Sequence, residues 1–173
     1  QSEAPLAERT AALTAAQRLV EATYGGPGDP ASLKHDLSAS LDRILADCAA
    51  RHEWSPPVQA EVQAWLWHYS VSGMLASLLQ AEGIDGNHVI AIAEAFPAAD
   101  LQLVFDPFVP LTPEAHARMA ARLIGGGFKP KRPGHETLAI DYLYAHGSLI
   151  TLQQRIGEAL DPRICLFGAL TPD

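Results

Sequence analysis

Asn87–Asp106 reads NHVIAIAEAFPAADLQLVFD, and the fold class turns on whether this stretch pairs as strands or coils as helix. Val89, Ile90 and Ile92 lead to a break at Pro97. Leu101, Leu103 and Phe105 then alternate with Gln102 and Val104, ahead of Asp106-Pro107. Period-two alternation bounded by proline is the signature of a short strand. The pattern favours a hairpin or short antiparallel pair at about 88–95 and 101–106. Helix remains the alternative for Asn87–Phe96, since Ala91, Ala93, Glu94 and Ala95 suit one.

Upstream, Pro56–Glu82 reads PPVQAEVQAWLWHYSVSGMLASLLQAE. Val58, Val62, Trp65, Leu66 and Tyr69 make one apolar stripe at helical spacing, and Trp67, Val71, Met74, Leu75 and Leu78 make another on a different side. A helix apolar on two sides is wrapped by neighbours. Gly73, with Ser70, Ser72 and Ser77, offers room for close backbone approach. Three helix starts share one signal: Asp29-Pro30, Ser55-Pro56 and Thr112-Pro113 each set a capping oxygen before a proline. Helices are expected at about 7–24, 30–51, 56–82, 113–124 and 135–160, and Gly147 is placed to kink or divide the last. Leu6, Leu13 and Val20 mark the inward side of the first, and Ile150 is read as inward on the last; Ile164–Leu166 could add a short strand. The expected architecture is α+β and predominantly helical. About five helices surround a buried central helix (56–82), with the small strand pair packed near it, in a single globular domain covering 1–173.

Charge is segregated along the chain. From His52 to Ala117 there is no Lys or Arg, and that stretch holds eight acids: Glu53, Glu61, Glu82, Asp85, Glu94, Asp100, Asp106 and Glu114. They account for the whole net charge of −8. Arg118, Arg122, Lys129, Lys131 and Arg132 follow, with no acid among them until Glu136. An acidic balance argues against nonspecific nucleic-acid binding, which needs a basic face, and against adsorption to anionic lipid. Val62–Ala81 is uncharged apart from His68, yet Gln63, Ser70, Ser72, Ser77 and Gln80 interrupt it and no basic flank marks a cytoplasmic end. It reads as a buried helix rather than a membrane span. Two cysteines make no disulfide framework; Cys48 lies on an apolar stripe as a small hydrophobe, and one Cys48–Cys165 bridge is possible without support from the sequence. A cytoplasmic location is expected, with a signal peptide removed ahead of Gln1 as the alternative.

Three groupings could carry chemistry. All three tryptophans, Trp54, Trp65 and Trp67, fall close together beside His68 and Tyr69. Aromatic walls with a polar tip line ligand pockets, so Trp65, His68 and Tyr69 are the candidate ligand-binding set; a plain core cluster is the alternative. The segment Gly125–Gly134 sets three glycines before Lys129, Lys131 and Arg132, ahead of a helix start at His135. Those three bases are the candidate anion-binding set, although the P-loop spacing is absent. Asp141 and His146 could serve acid–base work, and the alternative is a solvated helix face. His52, His68, His88 and His116 lie in the acidic stretch, but no HExxH, ExxH or CxxC spacing accompanies them, so no metal is expected. No GxSxG elbow is present.

The order Trp65-Leu66-Trp67-His68-Tyr69, then Leu75–Leu79, then a hairpin, then Thr112-Pro113-Glu114 resembles the ferric-siderophore reductase family over about half of the chain. The resemblance implies a link to iron-siderophore handling. That family carries a terminal cysteine cluster holding an iron–sulfur centre. Cys165 alone cannot supply it, so the redox activity does not carry over and no cofactor is expected.

Two function classes fit. One is a non-catalytic binding or accessory module whose acidic stretch meets a basic partner and whose basic loop meets an acidic one, or which self-associates through the opposed charge blocks. The other is a small-molecule-binding enzyme or sensor with its pocket at Trp65, His68 and Tyr69.

Overall fold

A computed structural model describes residues 3–159. Ile164–Leu166, Leu160 and Cys165, with the bridge it could form, lie outside the described residues, as does the side chain of Leu6. The described residues form seven helices and no strand: α1 (Glu3–Thr23), α2 (Pro30–His52), α3 (Pro56–Ala81), α4 (Gly86–Ala93), α5 (Ala98–Val104), α6 (Pro113–Gly125) and α7 (His135–Ala159).

The strand pair at 88–95 and 101–106 and the count of five helices are therefore corrected; α4 and α5 stand where the strands were expected. The physical reasons are local. Asp85 accepts the Asn87 N–H at 3.0 Å and caps α4. Val89, Ala93 and Phe96 are all buried, a helical i, i+4, i+7 face that the isolated pair Ile90 and Ile92 disguised. In α5 the buried pair is Asp100 and Val104, again four apart, while Leu101 and Leu103 are only partly buried. Short helices with a cap and a packed face need no strand partner, whereas an isolated two-stranded hairpin is marginal in water.

The five longer helices fall close to the expected spans. Asp29 accepts the Ala31 N–H at 3.3 Å and Thr112 accepts the Ala115 N–H at 3.1 Å, so two of the three proline-linked caps operate as read, while Ser55 accepts the Gln59 N–H through its backbone carbonyl. Between α1 and α2 the chain turns through Gly25 (φ +98°) and Gly28 (φ +113°), conformations that L side chains rarely adopt. Four local readings change. Leu13 is exposed, and α1 buries Ala12, Ala15, Ala16, Leu19 and Val20 instead. Ile150 is exposed as well. At Gly73 a Cβ would meet no described atom within 4 Å, so no close backbone approach requires that glycine. Gly147 does not divide α7, which runs unbroken through it. A Cβ there would collide with the Val104 carbonyl at the end of α5, so the glycine exists for packing.

The described residues divide into two compact units, 3–71 with 152–159, and 72–151. In the first, α1 packs against α2, and Arg43 Nε meets Glu8 Oε2 at 2.7 Å. Leu37, Leu41, Leu45, Cys48, Val62, Leu66, Leu152 and Ile156 are buried there. In the second, Val89, Phe96, Val104, Met119, Leu123, Phe128, Ile140 and Leu143 belong to one core drawn from α4 to α7. Among the described residues no helix is long and apolar enough to cross a membrane.

Candidate functional site

The charge blocks of the sequence meet inside the second unit. Asp100 on α5 is only 4% exposed, and two arginines of α6 converge on it. Arg118 reaches Oδ1 through Nε at 2.9 Å and Nη2 at 2.7 Å, and Arg122 reaches Oδ2 through Nε at 2.8 Å. The two arginines are four apart and so share a face of α6. Hydrogen bonds from Arg118 hold the Asp100 carboxyl below the usual carboxylate range; burial opposes them, and Arg122 adds to the lowering. At the end of α3, Glu82 pairs with Arg132, and its Oε2 lies 3.7 Å from His135 Nε2. His116 on α6 meets Asp141 on α7 at 3.0 Å.

These pairs reassign the candidate residues. Of the anion-binding set, Arg132 is engaged by Glu82, while Lys129 and Lys131 are exposed. The Lys131 N–H donates to His135 Nδ1 at 3.2 Å, and its ammonium lies beside Gly83. Gly83 also borders an open cleft of about 440 Å³ whose polar lining is Gln80, Asp85, Asn87 and Tyr142. The other half of the predicted acid–base pair, His146, stacks on Tyr142 at 6.0 Å, and Asp141 faces His116 instead. Among the described residues no group of three or more His, Cys, Asp or Glu could hold a metal ion.

Trp65, His68 and Tyr69 follow one face of α3, as their spacing requires. Trp65 and His68 are buried; Tyr69 is 48% exposed and stacks on Trp65 with centroids 4.8 Å apart. The Trp65 Nε1–H is buried and donates to no atom among the described residues. Trp54 stacks on His52 at 5.6 Å. Burial pushes the Cys48 thiol above its ordinary pKa, against the lowering effect of Arg51.

A feature that sequence reasoning passed over lies just after α5. Phe105-Asp106-Pro107-Phe108-Val109-Pro110 forms a turn in which Phe108 is 50% and Val109 53% exposed. It is fastened to α7 at three points. Gly147 admits the Val104 carbonyl. The Tyr144 hydroxyl lies 2.9 Å from both the Asp106 and the Val109 carbonyls, and the Thr151 hydroxyl donates to the Phe105 carbonyl at 2.7 Å. Within the turn, the Phe108 N–H donates to Asp106 Oδ1 at 3.1 Å. Burial raises the Tyr144 pKa, which keeps its donor proton in place. Ile150, also exposed, precedes Thr151. The available signal was the density of apolar residues and prolines in 105–110, too irregular for either helix or strand. Arg118 and Arg122 carried a second one, their i, i+4 spacing.

Comparison with protein-family models, with curated proteins and with solved structures finds no match. The hairpin that took part in the ferric-siderophore reductase resemblance is helical here.

Proposed function

We propose that the chain is a non-catalytic binding module. Its contact surface is the pinned turn Phe105–Pro110, and its partner is a protein segment carrying apolar residues flanked by Lys or Arg. The observation that carries this reading is the pairing of exposure with rigidity: Phe108 and Val109 project half-exposed from a backbone tied to α7 by Tyr144 and Thr151. Exposed apolar groups on a preorganised backbone bind with little ordering cost, and aromatic anchors dominate interface energies. The charge of the partner follows from what the ion pairs leave over. Glu94, Asp106 and Glu114 have no basic partner among the described residues, and Asp106 sits in the turn itself.

Selection from a random peptide-display library tests this, run in parallel on the unaltered protein and on Phe108→Ser and Val109→Ser variants. The expected result is enrichment of apolar peptides with Lys or Arg flanks on the unaltered protein only, with binding that weakens as salt rises. Equal enrichment on the variants, or enrichment of acid-flanked peptides, overturns it.

A second reading keeps the small-molecule pocket at Trp65, His68 and Tyr69. The buried, unpaired Trp65 indole N–H favours it, because an orphaned donor costs about 1–3 kcal/mol unless some acceptor reaches it. Ligand-induced tryptophan fluorescence that a His68→Ala variant abolishes would support that pocket; an unaltered response would remove it.

A further inference from the structure

A cleft of about 620 Å³ opens on the second unit, bordered by α4, the Phe96-Pro97 corner and the end of α6. Its volume falls within the range of small-molecule sites. Ile92, Phe96 and Pro97 supply apolar walls, and two polar side chains, His88 and Arg122, enter it. Gly126 allows α4 and α6 to approach closely at its base, since a Cβ there would collide with Ile92.

Arg122 is not a loose surface cation. Its Nε donates to the buried carboxylate of Asp100 at 2.8 Å, which anchors the guanidinium at that end. Neither terminal nitrogen, Nη1 or Nη2, has a partner among the described residues. Those two nitrogens form the end-on fork that matches a carboxylate's two oxygens. The charge count points the same way: one carboxylate against two guanidiniums leaves a positive charge at this place in an otherwise acidic chain.

We infer that this cleft binds a small amphipathic monocarboxylate, with an aromatic or branched-alkyl body against Ile92, Phe96 and Pro97 and its carboxylate on the Nη fork of Arg122. His88 stands as a second donor at the same mouth. The site is separate from the turn Phe105–Pro110 and does not depend on it.

Phenylbutyrate and its neutral amide, phenylbutyramide, are the probes, titrated into the isotopically labelled full chain and followed by amide chemical shifts. Phenylbutyrate is expected to move the amides of Ile92, Gly125 and Gly126 and to bind about ten-fold or more tightly than the amide. Arg122→Gln removes that preference. Gly125→Leu tests the walls: Gly125 lines the cleft, and a Cβ there has open space around it, so a side chain can be added at this wall. It is expected to abolish binding of both probes. Arg118→Gln, which loses the same kind of bond to Asp100 but does not line the cleft, controls for destabilisation and is expected to bind phenylbutyrate normally. The inference is overturned if neither probe shifts those amides at millimolar concentration, if acid and amide bind alike, or if either Arg122→Gln or Gly125→Leu binds as the unaltered protein does.

Discussion

Replacing the two arginines around Asp100 should cost far more stability than replacing Asp100 itself. The asymmetry follows from burial. Asp100 is 4% exposed, whereas the side chains of Arg118 and Arg122 are 46% and 42% exposed. In Asp100→Asn, two charge-assisted hydrogen bonds and the close Arg118 Nη2 ion contact are lost or weakened, each hydrogen bond contributing about 1.5–3 kcal/mol. Both guanidiniums then rehydrate in place, which returns much of that energy, and a net loss of about 2 kcal/mol is expected. In Arg118→Met/Arg122→Met the arginine stems are largely retained, but a buried carboxylate is left without a counter-ion. Stranding a buried charge costs about 3–5 kcal/mol. Urea unfolding at neutral pH, with the slope unchanged and only the midpoint moving, measures both. The pH dependence supplies a second check. The folded-state pKa of Asp100 lies below its unfolded value, so its contribution is fully present above the unfolded value of about 4 and is lost as pH falls through the folded pKa. The stability gap between the unaltered protein and Asp100→Asn should be flat from neutral pH down to about 5 and close below about 4. A loss in Asp100→Asn equal to or greater than that of the double variant would refute this reasoning, as would a gap that widens in acid.

Gly147→Ala should destabilise the second unit by about 1–3 kcal/mol in the same assay, because its methyl group has to displace the Val104 backbone. Glu53→Gly should stabilise by about 0.5–1 kcal/mol, since Glu53 closes α2 with φ at +54°, a conformation costly for a residue with a Cβ. Tyr144→Phe should cost about 1 kcal/mol of stability and speed amide exchange within 105–110, since the hydroxyl beside the Asp106 and Val109 carbonyls is lost.

Long elements were legible because their signals repeat. The apolar residues Leu37, Leu41, Leu45 and Cys48 of α2, at helical spacing, and the caps at Asp29 and Thr112 each rest on local chemistry that the chain carries within a few residues. The stretch 88–106 failed for the same reason in reverse. Two apolar runs of five to eight residues match period two and period 3.6 almost equally, and Asp85, the cap that decides for helix, stands outside the run that was read. Gly147 shows a different limit. A glycine inside a helix pattern signals either a break or a close approach, and only the position of Val104 distinguishes them. The charge blocks were legible as blocks but not as partners. Asp100 lies 18 and 22 residues from the arginines that bind it, so nothing local announces which acid of the one stretch meets which bases of the other. The turn Phe105–Pro110 was hidden because exposure of an apolar residue is a tertiary property, set here by Tyr144 and Thr151 on a distant helix.

The most direct test of the proposed binding module is an amide chemical-shift map of the full chain on adding a selected basic–apolar peptide. The account predicts shifts centred on Phe105, Phe108, Val109 and Ile150, reduced by salt and absent in Phe108→Ser. Shifts centred instead on Trp65–Tyr69 or on Lys129–Arg132, or none at all, would contradict it.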